Sequence, residues 1–245
     1  MIVGRPSVGK TSVAAYAEAP VFILSPGETG LATLIDAKQL PGNIPNQEVE
    51  SFEQVIWIIE DLMSSNTSRK TLVIDTVTGI ERIANAMVCA RDFSNDNTKF
   101  MSYQNGYAAV AMGIWKELLA KLDELRRKKG MQVILLAHTG VRNHRNPAGD
   151  DFQRWVPAFD GKQVMEQTVA WCDAVLFADF AVATTEDKQK KIKARGGERR
   201  YFHCVWDAAF EAKNRLGLPD EVEMGASPSE AWSKLQEAIN NGKVS

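Results

Sequence analysis

Short apolar runs bounded by turn residues recur along the chain and alternate with segments of helical periodicity. The runs that predict strands are Met1–Val3, Pro20–Leu24, Lys70–Ile74, Met131–Ala137 and Ala174–Ala178. The segments that predict helices are Lys10–Glu18, Glu28–Lys38, Phe52–Ser64, Val77–Arg91, Tyr107–Lys129 and Pro157–Trp171. This alternation predicts an α/β fold, with a doubly wound, mostly parallel sheet and helices on both of its faces.

The pattern changes after Ala178. Phe180–Thr185 and Arg200–Trp206 have the composition of strands and flank a polar stretch, which predicts a C-terminal antiparallel β-hairpin. Ser227 and Pro228 then begin a final predicted helix over residues 228–241. We expect a single domain over residues 1–245, with a core at 1–180, the hairpin and its continuation at 181–219, and the C-terminal helix.

Composition narrows the class of protein. The chain is 44% hydrophobic and 24% charged, as in ordinary globular proteins. Its net charge of -2 provides no global cationic field, so any contact with nucleic acid depends on local basic clusters. Three scattered cysteines in no metal-ligand spacing indicate a reducing compartment. No apolar run approaches the roughly 20 residues that span a bilayer, so we expect a cytoplasmic protein with no membrane partner.

One motif near the beginning of the chain has a specific chemistry. Residues 4–11, Gly-Arg-Pro-Ser-Val-Gly-Lys-Thr, match the P-loop pattern G-x-x-x-x-G-K-[ST] and lie between a predicted strand and a predicted helix. In a P-loop the backbone N–H groups face phosphates, the lysine reaches the β- and γ-phosphates, and the threonine hydroxyl binds Mg²⁺. We predict ATP and Mg²⁺ as cofactors, held by Gly4, Arg5, Pro6, Ser7, Val8, Gly9, Lys10, Thr11 and Ser12.

A P-loop site also needs an acid beside the metal. Residues 72–75 form an apolar strand that ends in a carboxylate, the Walker B arrangement, so Asp75 joins Thr11 as a predicted metal-site residue. Thr76 follows it, at the position where many ATPases place a glutamate. Glu28, on a glycine-bounded turn after the second predicted strand, is therefore the candidate for orienting the attacking water. The alternative is an acidic residue that stabilises a helix N-terminus.

These positions together resemble the RecA-like ATPase core. Residues 133–139 resemble the fourth core strand of that family, which implies that His138 senses the γ-phosphate and couples it to a DNA-binding loop. Residues 212–217 resemble the finger that RecA-type recombinases and hexameric replicative helicases insert into a neighbouring subunit, which implies that Lys213 and Arg215 act in trans. The alternatives are a histidine that caps local backbone groups and a solvated Lys213–Arg215 pair.

The chain further resembles the phage-encoded RecA-like ATPases of the Sak single-strand-annealing type, from Met1 to about Pro219. That resemblance implies a DNA-stimulated ATPase of homologous recombination or strand annealing, in the host cytoplasm. It implies single-stranded DNA and further copies of the chain, in a ring or filament, as partners, with a single-strand-binding protein as another candidate. The catalytic residues that it implies are Glu28, Lys10, His138, Lys213 and Arg215.

Two basic segments are candidates for contact with nucleic acid. Thr139–Trp155 is predicted to be a polar loop that contains Arg142, His144, Arg145 and an aromatic neighbour, the cations and ring that single strands require. A predicted hairpin tip concentrates seven cations, Lys188, Lys190, Lys191, Lys193, Arg195, Arg199 and Arg200. Asp92–Tyr103 is a third, weaker candidate. The alternative for each segment is an ordinary solvated loop.

Two other functions share the P-loop. A ring-forming motor or loader related to replicative helicases would use the same finger, and a nucleotide switch would bind ATP with little turnover. The chain contains no Asn/Thr-Lys-x-Asp element of the GTPase type, which favours ATP over GTP. DNA-stimulated ATP hydrolysis is the function that the sequence favours.

Overall fold

One mixed sheet organises residues 1–186 and 192–242, which the computed structural model describes. Its strands are β1 (Ile2–Gly4), β2 (Pro20–Leu24), β3 (Asn46–Glu48), β4 (Thr71–Asp75), β5 (Gln132–His144), β6 (Phe152–Pro157), β7 (Ala174–Glu186), β8 (Ile192–His203), β9 (Lys213–Asn214) and β10 (Glu221–Glu223). The helices are α1 (Lys10–Ala14), α2 (Gly30–Asp36), α3 (Phe52–Ser64), α4 (Val77–Phe93), α5 (Asn97–Met101), α6 (Asn105–Val110), α7 (Lys116–Lys129), α8 (Lys162–Trp171) and α9 (Pro228–Gly242).

The strand order is β10-β8-β7-β1-β5-β4-β2-β3, with β6 paired to β5 and β9 paired to β7. The pairs among β7, β1, β5, β4, β2 and β3 are all parallel, whereas β8 and β10 are antiparallel to their neighbours. The predicted α/β class, with its mostly parallel sheet and C-terminal antiparallel hairpin, is therefore confirmed. In such a sheet, ligands bind beyond the carboxyl ends of the parallel strands.

Helices cover both faces of the sheet because side chains alternate along each strand. In β4, Leu72 and Ile74 pack with α3, α4 and α7, while Val73 packs on the other face with α1, α2 and α9. All three residues have no exposed surface. Such double-sided burial explains why the parallel strands are continuous apolar runs in the sequence.

Two predicted elements are longer in the structure. Strand β5 does not stop near Ala137 but continues to His144 and folds back through β6, with Thr139 opposite Pro157 and His144 opposite Phe152. The prediction of a loop over Thr139–Trp155 is therefore wrong, because that segment forms a β-hairpin around a turn near Pro147. Likewise, β7 continues to Glu186, with an irregularity in its pairing between Phe180 and Val182, so the predicted strands Ala174–Ala178 and Phe180–Thr185 are one.

Two predicted helices are shorter than expected. The segment Tyr107–Lys129 is divided by a π-helical turn at Ala111–Trp115, in which Gly113 has a non-helical backbone (φ -102°, ψ -106°). Glycine tolerates that conformation, and helical periodicity alone did not reveal the break. Helix α8 begins at Lys162 rather than Pro157, because Pro157 is the last residue of β6. Among the described residues, every helix falls short of the length and apolar character needed to cross a membrane.

Candidate nucleotide-binding site

The P-loop joins the end of β1 to the beginning of α1. Gly9 has a positive φ of 104°, a conformation that favours glycine, and it precedes the first helical residue, Lys10. Gly4 lies so near β7 that a Cβ atom there would be 2.5 Å from the Ala178 carbonyl oxygen. The backbone geometry of the loop therefore requires glycine at Gly4 and Gly9. Val8, in the middle of the loop, is fully buried and packs the loop against the core.

Lys10 holds the loop in its curled form. Its ammonium group donates to the carbonyl oxygens of Gly4 at 2.9 Å and of Arg5 at 3.0 Å. Burial lowers the pKa of Lys10, while the nearby carboxylates of Asp75 and Glu28 oppose that shift. A buried ammonium group that is held by carbonyl oxygens inside a P-loop can exchange those partners for phosphate oxygens.

Asp75 and Thr11 meet across the end of β5. Thr11 Oγ1 donates to Asp75 Oδ2 at 2.7 Å, although 64 positions separate the two residues in the chain. Burial raises the pKa of Asp75, the hydrogen bond from Thr11 lowers it, and the charge of Glu28 raises it again. Asp75 is 2% exposed. The two side chains provide the oxygen ligands that Mg²⁺ prefers.

Glu28 and His138 form a second pair at the same edge of the sheet. His138 Nε2 lies 3.1 Å from Glu28 Oε1, and both side chains remain partly exposed. The turn that carries Glu28 is fixed to the Walker B strand, because Ser25 N donates to Asp75 O at 2.8 Å and Thr76 N donates to Ser25 Oγ at 3.1 Å. Among the described residues, no group forms a hydrogen bond with the buried Nδ1 atom of His138.

These residues fit a nucleotide with its magnesium ion. The backbone of the P-loop and Lys10 would hold phosphates, and Thr11 and Asp75 would hold the metal. A bound Mg²⁺ neutralises phosphate charge during transfer of a phosphoryl group. The chain's own contribution is to place a cation, two oxygen ligands and the Glu28 carboxylate around one position at the carboxyl edge.

The predicted finger residues lie at the opposite edge of the sheet. Lys213 pairs in β9 with Val175 near the beginning of β7, and its ammonium group donates to the carbonyl oxygens of Val169 at 2.9 Å and Ala170 at 2.7 Å. Arg215 is exposed, and its backbone N–H donates to Asp173 O at 3.0 Å. Neither residue lies in the nucleotide site of its own chain, so action in trans stays a prediction.

The candidate nucleic-acid residues lie on two different hairpins, β5–β6 and β7–β8. Arg142, His144 and Arg145 follow one another along the β5–β6 hairpin. The Arg142 guanidinium donates to Phe159 O, His144 packs against Phe152 with ring centroids 4.9 Å apart, and Arg145 is exposed. Lys193 and Arg195 lie in β8, opposite Thr185 and Ala183. Lys188, Lys190 and Lys191 lie outside the described residues.

Sequence reasoning did not connect Glu81 or Arg200 with the nucleotide site. Glu81, in α4, is fully buried and accepts hydrogen bonds from Asp160 N and Gly161 N, both at 2.7 Å. It fixes the segment between the β5–β6 hairpin and α8. Arg200, in β8, points its guanidinium at the P-loop, where Nη1 lies 3.4 Å from Val8 O. Both contacts join residues far apart in the chain, so the local pattern of apolar and polar residues could not predict them.

The P-loop, the buried acid at the end of β4 and the mostly parallel sheet define the chain as a P-loop nucleotide-binding ATPase. A family model described as an AAA domain matches residues 1–216, and the chain belongs to that family. A comparison with curated proteins found no match. The family match covers every residue of the nucleotide site described above, and β10 and α9 lie beyond it.

Glu81 makes stability depend on pH. Burial raises the pKa of Glu81 from 4.5 to about 7, and the negative charge of Asp160 acts in the same direction. The two backbone hydrogen bonds and the charge of Arg142 lower this pKa but do not cancel the effect of burial. Below pH 4.5 the carboxyl is protonated in both the folded and the unfolded chain. As the pH rises from 4.5 to 7, the unfolded chain ionises first, so the stability linked to this proton is lost.

We therefore expect the free energy of unfolding of the wild type, minus that of Glu81→Gln, to fall between pH 5 and 7 and to level off above about pH 7. Urea unfolding at several pH values measures this difference, and the glutamine variant cancels the contribution of every other titrating group. A constant difference would show that the hydrogen bonds from Asp160 and Gly161 cancel the effect of burial, and a difference that grows with pH would show that they outweigh it.

Proposed function

We propose that this ATPase couples Mg²⁺-dependent ATP hydrolysis to the binding of single-stranded DNA, in recombination or strand annealing of the phage Sak type. The observation that carries the proposal is the Glu28–His138 contact at 3.1 Å. His138 is the residue at which β5 leaves the parallel sheet, and the next residue, Thr139, is the first that pairs with β6. One side chain therefore stands between the nucleotide site and a basic hairpin.

The proposed roles in hydrolysis follow from position. Glu28 polarises the attacking water, because the turn that carries it is held at the end of β4, beside the edge of the sheet where Lys10 and Asp75 lie. His138 senses the γ-phosphate through Glu28. A change in the partner of His138 Nε2 reaches the hairpin directly, because His138 O also accepts a hydrogen bond from Ala158 N at 2.9 Å, just after β6.

The hairpin supports DNA binding through its chemistry. Arg145 is an exposed cation near its tip, and His144 packs against Phe152 in a cross-strand pair with the two rings tilted. Cations bind the phosphates of a single strand, and rings stack on its bases. Tyr103, which is 94% exposed, is a further ring available for stacking. Lys193 and Arg195 belong to β8 of the β7–β8 hairpin, where they pair with Thr185 and Ala183.

Assembly with copies of the chain, in a ring or filament, is part of the proposal. The P-loop of each chain lies at the carboxyl edge of the sheet, and Lys213 and Arg215 lie at the amino edge. A residue at that edge can complete a nucleotide site only in a neighbouring subunit. Arg215 is exposed and so available for this contact, whereas Lys213 first has to leave its carbonyl partners in α8.

Substitution of the proposed base tests its role. Glu28→Gln keeps the size of the side chain but cannot accept a proton, so we expect kcat to fall by about 10²- to 10⁴-fold with little change in ATP affinity. Steady-state hydrolysis and equilibrium binding measure the two effects. Glu50→Gln, an exposed carboxylate outside the site, is the matched control. Full activity of Glu28→Gln would assign Glu28 to the helix N-terminus.

DNA coupling is tested by ATP hydrolysis with and without single-stranded DNA at low salt, where phosphate contacts are strongest. We expect DNA to stimulate the wild type, Lys10→Ala to abolish hydrolysis in both conditions, and Arg145→Ala to weaken the stimulation. Arg127→Ala, an exposed arginine at the far end of α7, should be stimulated like the wild type. Weak hydrolysis that DNA leaves unchanged would contradict the proposal and favour a nucleotide switch.

Mixing two inactive variants tests action in trans. Arg215→Ala chains have an intact P-loop but no finger, and Lys10→Ala chains have a finger but no working P-loop. In mixed oligomers, a Lys10→Ala chain supplies Arg215 to the site of an Arg215→Ala chain, so we expect hydrolysis to exceed that of either variant alone at the same total concentration. An arginine supplied in trans contributes about 10³- to 10⁵-fold in rate. If the mixture hydrolyses ATP no faster than the sum of the two variants measured separately, the proposal that Arg215 acts in trans would be contradicted.

A further inference from the structure

A single arginine joins the antiparallel extension of the sheet to the P-loop. Arg200 lies opposite Phe180 in the β7–β8 pair, and Ala178 of β7 lies opposite Gly4 of β1. Arg200 therefore stands just beyond the residue at which β1 becomes the P-loop. This is the edge of the sheet at which Lys10, Thr11 and Asp75 converge.

The guanidinium group of Arg200 is close to the loop itself. Nη1 donates to Val8 O at 3.4 Å, and a Cβ atom added to Gly9 would lie 3.0 Å from the same nitrogen. Gly9 directly precedes Lys10, whose side chain reaches phosphates in a P-loop. A glycine at this position leaves room for the guanidinium beside the loop.

The charge of Arg200 is poorly matched by its present partner. Arg5, the other arginine at the loop, donates to Asp179 through Nε at 3.1 Å and forms an ion pair with that carboxylate. Among the residues whose side chains the structure describes, no carboxylate forms an ion pair with Arg200, and its carbonyl contact is long for a hydrogen bond. Guanidinium groups bind phosphate strongly and often through two parallel hydrogen bonds.

The backbone under Arg200 is fixed on both sides. It pairs with Phe180 on β7, and Arg200 O accepts a hydrogen bond from Met224 N at 2.8 Å. A change of partner therefore requires rotation of the side chain and no movement of the strand. The same strand carries Lys193 and Arg195 toward the other end of the hairpin.

We propose that Arg200 is a phosphate ligand of the nucleotide site, supplied in cis from β8, which exchanges Val8 O for phosphate oxygens when a triphosphate binds. The inference rests on nucleotide binding by the P-loop and is independent of the proposal about DNA. It also gives the β7–β8 hairpin a direct contact with the bound nucleotide.

The test is equilibrium binding without DNA and without turnover. Displacement of a fluorescent nucleotide gives the affinities of ATP and of inorganic triphosphate, both with Mg²⁺, for the wild type, Arg200→Ala and Arg200→Lys. We expect Arg200→Ala to weaken both ligands by the same factor, about 10- to 100-fold, because the lost contact is a charged hydrogen bond to phosphate. Arg200→Lys should recover part of the affinity, since lysine keeps the charge but not the planar fork.

Two controls frame the result. Arg199→Ala removes the neighbouring exposed arginine of β8, and we expect its affinities to match the wild type. Lys10→Ala shows how far the P-loop itself contributes in the same assay. Thermal unfolding without ligand checks that each variant is folded, and Arg200→Lys provides the comparison if the alanine variant is not.

Two outcomes would overturn the proposal. Affinities of Arg200→Ala equal to those of Arg199→Ala would make Arg200 a purely structural contact of Val8. A loss of ATP affinity without a loss of triphosphate affinity would place Arg200 at the base or ribose and not at the phosphates.

Discussion

The nucleotide site depends on the position of one short strand, β1, between β5 and β7. Ile2 and Val3 are buried between the two neighbouring strands, and β1 comes so close to β7 that a Cβ atom at Gly4 would be only 2.5 Å from Ala178 O. This pairing fixes the point at which the chain leaves the sheet. From there the P-loop is placed beside the ends of β4, β5 and β7, and each of those strands contributes a residue or a boundary to the site.

Burial sets the direction of both pKa shifts within the site. Burial lowers the pKa of Lys10 and raises that of Asp75, and the nearby opposite charges act against both shifts. Each charged group already has a polar partner: Lys10 has two carbonyl oxygens, and Asp75 has the Thr11 hydroxyl. In our proposal, phosphates and a metal would replace these partners within a frame that is already formed. Such preorganisation is a main source of catalytic electrostatic stabilisation.

The sequence predicts the parts of this site that local pattern determines. The P-loop and Asp75 follow from fixed spacing next to apolar strands, and the class of fold follows from alternating periodicities. The β5–β6 hairpin was missed, although Asn146, Pro147 and Gly149 are turn residues between two runs that contain strand-forming side chains. The break at Gly113 was missed because the apolar stripe of a helix continues on both sides of a π-helical turn.

Other features depend on contacts that no local pattern encodes. Thr11 and Asp75, Glu28 and His138, and Arg200 and Val8 are brought together by the order of strands in the sheet. A sequence read as a series of elements gives the strands but not which of them are neighbours. Glu28 and His138 were chosen through a family resemblance and lie together, whereas Arg200, considered as part of a charged hairpin, had no visible connection with the P-loop.

The order of strands also suggests why two hairpins grow from this edge. Strands β5 and β7 flank β1 on either side, and each continues past the carboxyl edge into an antiparallel arm, β5–β6 or β7–β8. Where each arm leaves the sheet, one side chain lies beside the nucleotide site: His138 in the β5–β6 arm and Arg200 in the β7–β8 arm. Both arms are extensions of strands that pair with β1. A change at the phosphates would therefore reach each arm through one short strand. In our proposal, both arms therefore respond to the same nucleotide, one through Glu28 and the other through direct contact with phosphate.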